Sequence, residues 1–354
     1  MRPDLSELKP IYSTTFRRLA VAGMCVFGLV AGAIAKSPCS DVYLPVSMAA
    51  GGPKTELLYG QLCHPSSGPS RTLQILLHGY TYNRDYWSAP VGALYDYVAV
   101  ATSAGYSTFA VDRLGSIGRS SRPLSGTVTI FSNAVNLHDV VQAARSAMLP
   151  GGPYQKVVTV GHSLGSMTAW TEAHLFNDVD GIISTGAAHP LGNMQGMTAN
   201  TVPALTDARL APYVGVDAGY TTTAPGSRGP LFYRLENADP AVIAYDEATK
   251  GVGTATELGT LSAYESATLT LTAPILQVIG QYDSLFCAQG GAGAVADCST
   301  DQSFAATERF FFPLVQDYEA FVQVGAGHDN NLHLSAMTWY QRAVVWAKQR
   351  YPTK

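Results

Sequence analysis

The chain has 354 residues, enough for one large α/β domain carrying an insertion or for two ordinary domains. With 47% hydrophobic and only 14% charged residues it can bury a sizeable core and does not have the composition of a disordered protein. A net charge of -4 without a long run of like charges gives no electrostatic footprint for nucleic acid or an anionic membrane, so neither partner is expected.

The first element is an export signal. Arg17 and Arg18 precede an uncharged, apolar run from Leu19 to Ala35, which ends in Ala33-Ile34-Ala35, the small-x-small pattern of a signal-peptidase site. Residues 1–35 therefore read as a signal peptide cleaved after Ala35, implying a secreted protein, extracellular or periplasmic. At seventeen residues the run is at the lower limit for crossing a bilayer, so an uncleaved anchor is the alternative. The paired arginines do not decide between Sec and twin-arginine export. Cleavage removes Cys25 and leaves Cys39, Cys63, Cys287 and Cys298, an even number in a chain bound for an oxidising compartment. Two disulfides are expected, and sequence proximity favours Cys39 with Cys63 and Cys287 with Cys298. The absence of a Cys-x-x-Cys pair or a close Cys/His cluster argues against a metal site.

Two runs, Val42 to Met48 and Leu57 to Leu62, have the short, turn-bounded spacing of an antiparallel hairpin. From Leu73 onward, short apolar runs alternate with longer helix-like stretches, the pattern of parallel strands joined by crossover helices. Leu73–Leu77, Ser107–Val111, Val157–Val160, Gly181–Ser184, Ile275–Ile279 and Phe321–Val324 read as strands buried on both faces. About ninety residues separate Ser184 from Ile275, too many for a simple crossover. Residues 189–272 therefore read as an inserted, mostly helical cap with several aromatics (Tyr213, Tyr220, Phe232, Tyr233, Tyr245), a plain surface excursion being the alternative. The core then comprises residues 36–188 and 273–354. The stretch Ala336–Gln349 closes the chain as a helix packed on the sheet.

The chemistry concentrates at strand ends. Gly161-His162-Ser163-Leu164-Gly165 follows an apolar strand and precedes the helix-like segment Ser166–Leu175, a turn that projects the serine hydroxyl out of the chain. The free N–H of Leu164 at the helix start points where a carbonyl oxygen becomes negative during attack. A serine needs a base, and His328 follows the last strand in a glycine-rich turn, Val324-Gly325-Ala326-Gly327-His328-Asp329. His333 is its main rival. The other six histidines, His162 and His78 among them, read as structural. Asp283 ends the next-to-last strand and is the best placed acid, ahead of Asp297 and Asp301. The turn Leu77-His78-Gly79-Tyr80 makes the N–H of Tyr80 the second oxyanion donor. A Cys287–Cys298 bridge would close the loop after Asp283 and steady it.

Taken together, His78-Gly79, the Gly-x-Ser-x-Gly around Ser163, Asp283 and Gly327-His328 resemble the α/β-hydrolase superfamily in order and placement. Asp112-Arg113-Leu114-Gly115-Ser116-Ile117-Gly118-Arg119-Ser120 is also similar to a family segment, with one extra residue between its glycines. The resemblance implies a mostly parallel central sheet flanked by helices, with a helical cap insertion. It also implies a serine hydrolase with a Ser163, Asp283 and His328 triad. A serine at this turn argues against dehalogenases and epoxide hydrolases, which use an aspartate there. Export and an apolar cap favour a small-molecule or lipid-like carboxylic ester, cleaved through an acyl-enzyme. Peptidase, thioesterase, lyase or cyclase chemistry and ligand binding without turnover remain the alternatives. No metal, nucleotide or flavin motif stands out, so no cofactor is expected, and no stable membrane partner is expected after cleavage.

Overall fold

A computed structural model describes residues 38–291 and 293–354. The expected export signal, residues 1–35, and Cys25 lie outside the described residues. The expected hairpin forms from β1 (Cys39–Val46) and β2 (Glu56–Cys63), whose register sets Cys39 opposite Cys63 and allows their disulfide. Six further strands complete an eight-stranded sheet: β3 (Thr72–Leu77), β4 (Ser107–Val111), β5 (Lys156–His162), β6 (Gly181–Thr185), β10 (Ile275–Gly280) and β11 (Tyr318–Gln323). The order is β1-β2-β4-β3-β5-β6-β10-β11, with β2 alone running against its neighbours. Every residue of β3, β4, β6 and β10 is buried. Such strands are mostly apolar because helices cover both faces of a parallel sheet.

Those helices are α1 (Tyr97–Ser103), α2 (Ile130–Arg145), α3 (Leu164–Phe176), α10 (Asp301–Glu308) and α11 (Ala336–Arg350). Helix α2 starts from a reciprocal cap in which Thr129 and Ser132 satisfy each other's backbone N–H groups. Helix α11 buries Trp339, Tyr340, Ala343, Trp346 and Ala347, and the Trp339 ring stacks on Tyr97 of α1 at 4.8 Å.

One expectation needs correction. The last strand occupies Tyr318–Gln323, not 321–324, and is mostly half-buried because as an edge strand it pairs with β10 alone. Val324 lies beyond its end, 70% exposed. The interval between β6 and β10 is mostly helical, as expected, and carries short strands as well. Its short helices, α4 (Met194–Ala199), α5 (Ala211–Val214), α6 (Arg228–Phe232), α7 (Pro240–Thr249), α8 (Ala255–Gly259) and α9 (Ala263–Ala267), are joined by a small antiparallel sheet. That sheet is built from β7 (Thr201–Pro203), β8 (Tyr220–Thr223) and β9 (Gly253–Thr254). A second small apolar cluster, Ala204, Leu210, Val214, Tyr220 and Val252, holds it together. The inserted residues belong to the same compact unit as the sheet. Among the described residues no helix is long and apolar enough to cross a membrane.

Candidate active site

The carboxyl ends of β3, β5, β10 and β11 meet at one edge of the sheet, the place where an open α/β sheet leaves a crevice. Ser163 joins β5 directly to α3 and sits at φ 52, ψ -120, a left-handed conformation costly for a residue with a side chain. Close packing imposes that turn. A Cβ on Gly161 would lie 2.5 Å from the Cα of Ser166, and one on Gly165 would lie 2.2 Å from the carbonyl oxygen of Leu77. Glycine at both positions lets α3 begin against the end of β3 while the serine is turned outward.

Across the edge, His328 Nδ1 lies 2.8 Å from Asp283 Oδ2, and both side chains are buried. The other Asp283 oxygen accepts the N–H of Leu285 at 2.9 Å, and the N–H of Cys287 donates to the Asp283 carbonyl at 2.9 Å. The loop carrying the acid thus folds over itself, and the Cys287–Cys298 disulfide closes it. The His328 ring stands 5.0 Å from that of His162, the residue before Ser163. Among the described residues no hydrogen bond reaches the Ser163 hydroxyl. In sites of this kind the serine–histidine contact commonly tightens when substrate is seated.

Electrostatics separate the histidines. Burial works against a charge on His328, but Asp283 beside it, through charge and hydrogen bond, and then Asp329 outweigh that and raise its pKa above the usual value. Burial, followed by the charge of His328, holds His162 well below it. The rival His333 is also lowered by burial, and its hydrogen bonds give the reason for its role. Its Nε2 accepts the N–H groups of Gly327 at 2.9 Å and Arg234 at 3.0 Å, while Nδ1 donates to the Asp329 carbonyl at 2.8 Å. A second ring proton would face two donors. His333 is therefore a neutral brace under the turn that presents His328.

The backbone N–H groups of Tyr80 and Leu164 are both free of backbone partners among the described residues, and both residues line one pocket with Ser163. The Tyr80 turn is held from behind by Arg113. Its guanidinium donates to the carbonyls of His78 at 3.0 Å and Gly79 at 3.2 Å, and pairs with Glu257 of α8 at 2.6 Å, all buried. His78 completes the brace, with Nδ1 on the Gly79 carbonyl and Nε2 accepting the N–H of Arg113. The adjoining 112–120 loop closes round Asp112, whose carboxylate accepts the N–H groups of Arg84 and Arg119.

The pocket is aliphatic where the sequence suggested aromatic. Met167, Leu191, Met194, Met197, Leu258 and Leu285 make most of its wall, with Phe286 and Tyr80 as its aromatics. The cap aromatics named above do not line it: Tyr220 is buried in the small cluster, Tyr213 donates to the Ser116 carbonyl, and Phe232 stands 5.4 Å from the His328 ring.

A buried polar network escaped the sequence reading. Asp246 of α7 takes a two-pronged contact from Arg228 of α6, at 2.8 Å to each oxygen, and also accepts Tyr233 at 2.9 Å and Tyr82 at 3.0 Å. The Tyr82 hydroxyl also contacts Asp329, and Asp329 Oδ1 lies 3.2 Å from His162 Nε2. The chain of contacts runs from the insertion to the residues flanking Ser163 and His328.

Comparison with known proteins agrees with this architecture. No curated protein matches by sequence. Among solved structures, a thermophilic esterase from Thermogutta terrifontis superposes with a TM-score of 0.57 at 17% identity, covering 88% of this chain and 98% of the other. A monoacylglycerol lipase from Paleococcus ferrophilus gives 0.56 at 16% identity, over 83% and 99%. An esterase from Pyrococcus furiosus gives 0.54 at 14% identity, over 90% and 92%. At such identities the likeness speaks for the fold alone. A sequence model described as the alpha/beta hydrolase family matches residues 74–340, three-quarters of the chain and all of the site described above, and the chain belongs to that family.

Proposed function

We propose that this chain is an exported serine hydrolase that cleaves a carboxylic ester bearing a hydrophobic portion. The observation that carries the reading is the buried His328–Asp283 pair at 2.8 Å, on the same sheet edge as a serine held in a left-handed turn. Asp283 accepts the Nδ1 proton, leaving Nε2 with the lone pair a base needs. His328 takes the Ser163 proton as Oγ attacks the ester carbonyl. The N–H groups of Tyr80 and Leu164 receive the developing oxyanion, a contribution of about 10²–10³ in rate per donor. The imidazolium returns its proton to the departing alcohol, and water then releases the acid from Ser163 by the same steps.

The aliphatic pocket beside Ser163 supports an apolar acyl or alcohol group, and esterases and a monoacylglycerol lipase stand among the similar structures. Two disulfides are compatible with export. The test is hydrolysis of p-nitrophenyl esters of increasing acyl length by the purified protein, beside Ser163→Ala. Turnover with an optimum at medium length, reduced about 10⁴–10⁶-fold in the variant, is expected. Equal rates from both proteins would refute the assignment of Ser163.

A further inference from the structure

Away from the Ser163 edge, α2 and α3 pack side by side. His138 on α2 meets Glu172 on α3 and Asp178 just beyond the end of α3, and one ligand atom from each lies within 4.8 Å of the other two. Glu172 is fully buried, and neither of its carboxylate oxygens has a hydrogen-bond partner among the described residues. A buried acid with both oxygens unpaired is rare and costly, and calls for a partner.

The disposition of donors indicates what that partner is. His138 Nδ1 lies 2.7 Å from Asp178 Oδ2 and 3.9 Å from Glu172 Oε1, yet makes a hydrogen bond with neither. At 2.7 Å it is alignment that fails, since the ring nitrogen is not aimed at the oxygen. Donors that surround a point instead of facing one another are the arrangement found round a cation. Tetrahedral bonds of about 2.0–2.2 Å hold neighbouring donors about 3.4 Å apart, a value between the two separations. Outer contacts of the kind that orient ligands are also present. The Phe176 ring stacks on His138 at 3.8 Å, and Gln142 donates to Asp178 Oδ2 at 2.7 Å. His138 and Asp178 are partly exposed, which gives an ion a way in and leaves room for water as a fourth ligand.

We propose that His138, Glu172 and Asp178 bind a first-row divalent cation and thereby clamp α3, the helix that starts at the Ser163 elbow, against α2. One imidazole with two carboxylates suits Zn²⁺ and its neighbours, whereas Ca²⁺ and Mg²⁺ favour all-oxygen shells. The role is structural, so it is independent of the reaction at Ser163. To test it, the purified chain is stripped with a chelator, equilibrated with Zn²⁺, and assayed for retained metal and thermal midpoint beside His138→Gln and Glu172→Gln. Wild type is expected to retain a Zn²⁺ that both variants bind at least about tenfold more weakly. Its midpoint should rise with Zn²⁺, a rise that Ca²⁺ at the same concentration does not reproduce and both variants lack. No retained Zn²⁺ in wild type, or equal retention and equal midpoint shift in His138→Gln, overturns the proposal. Should Glu172→Gln fail to fold, the partly exposed His138 position decides alone.

Discussion

The central sheet and the segment inserted between β6 and β10 are stabilised in different ways. In the sheet, β3, β4, β6 and β10 are buried at every position and the backbone ladder satisfies their polar groups, so position is set by register. The insertion has short elements and a small apolar cluster of its own, and buried ion pairs anchor it: Arg228 with Asp246 inside it, and Glu257 with Arg113 of the core. The sheet edge carries the proposed reacting groups, while the insertion supplies pocket walls and holds the loops beside those groups. A buried pair of this sort adds little net stability over an apolar pair, but breaking it is expensive because one charge is stranded.

That contrast can be broken by substitution. Arg228→Met leaves Asp246 buried without its cation and is expected to cost about 3–5 kcal/mol in denaturant unfolding, whereas Arg228→Met with Asp246→Leu should recover much of the loss. An equal cost in single and double variants would mean that packing, not charge, anchors the insertion. A smaller effect, on activity, sharpens the contrast. His328 must be neutral to act as a base, so kcat/KM should rise with pH through a value above the ordinary imidazole pKa. Asp329 is one of the negative charges that raise it. Removing that charge in Asp329→Asn lowers the His328 pKa and moves the acid limb of the profile to lower pH, with turnover on the plateau largely kept. A purely structural Asp329 would leave the limb where it is.

Much of the sheet was legible because strands buried on both faces are mostly apolar, and the elbow was legible because Gly161, Ser163 and Gly165 are close in sequence and packing requires both glycines. His328 and Asp283 could be ranked because they closely follow strands that end at the same sheet edge. The insertion was visible mainly as an interruption. Its strands are two to four residues long, too short for alternation to register, and its anchors are charged residues that sequence habit assigns to the surface. Arg113 and Glu257 are 144 residues apart, and no local pattern joins them. Edge geometry displaced β11 for a related reason: with one neighbour, Glu319 can be accommodated within the strand, where an unbroken apolar run had been expected. His138 and Glu172 lie on different helices and could be paired only once α2 and α3 were packed.

The account depends most on Ser163 being activated by His328. Incubating the purified protein with a fluorophosphonate and locating the adduct by peptide mass spectrometry tests this directly. Modification of Ser163, slowing on the acid side of the profile and absent when His328 is replaced by Ala, is predicted. A folded protein that stays unlabelled, or is labelled at another serine, would contradict it.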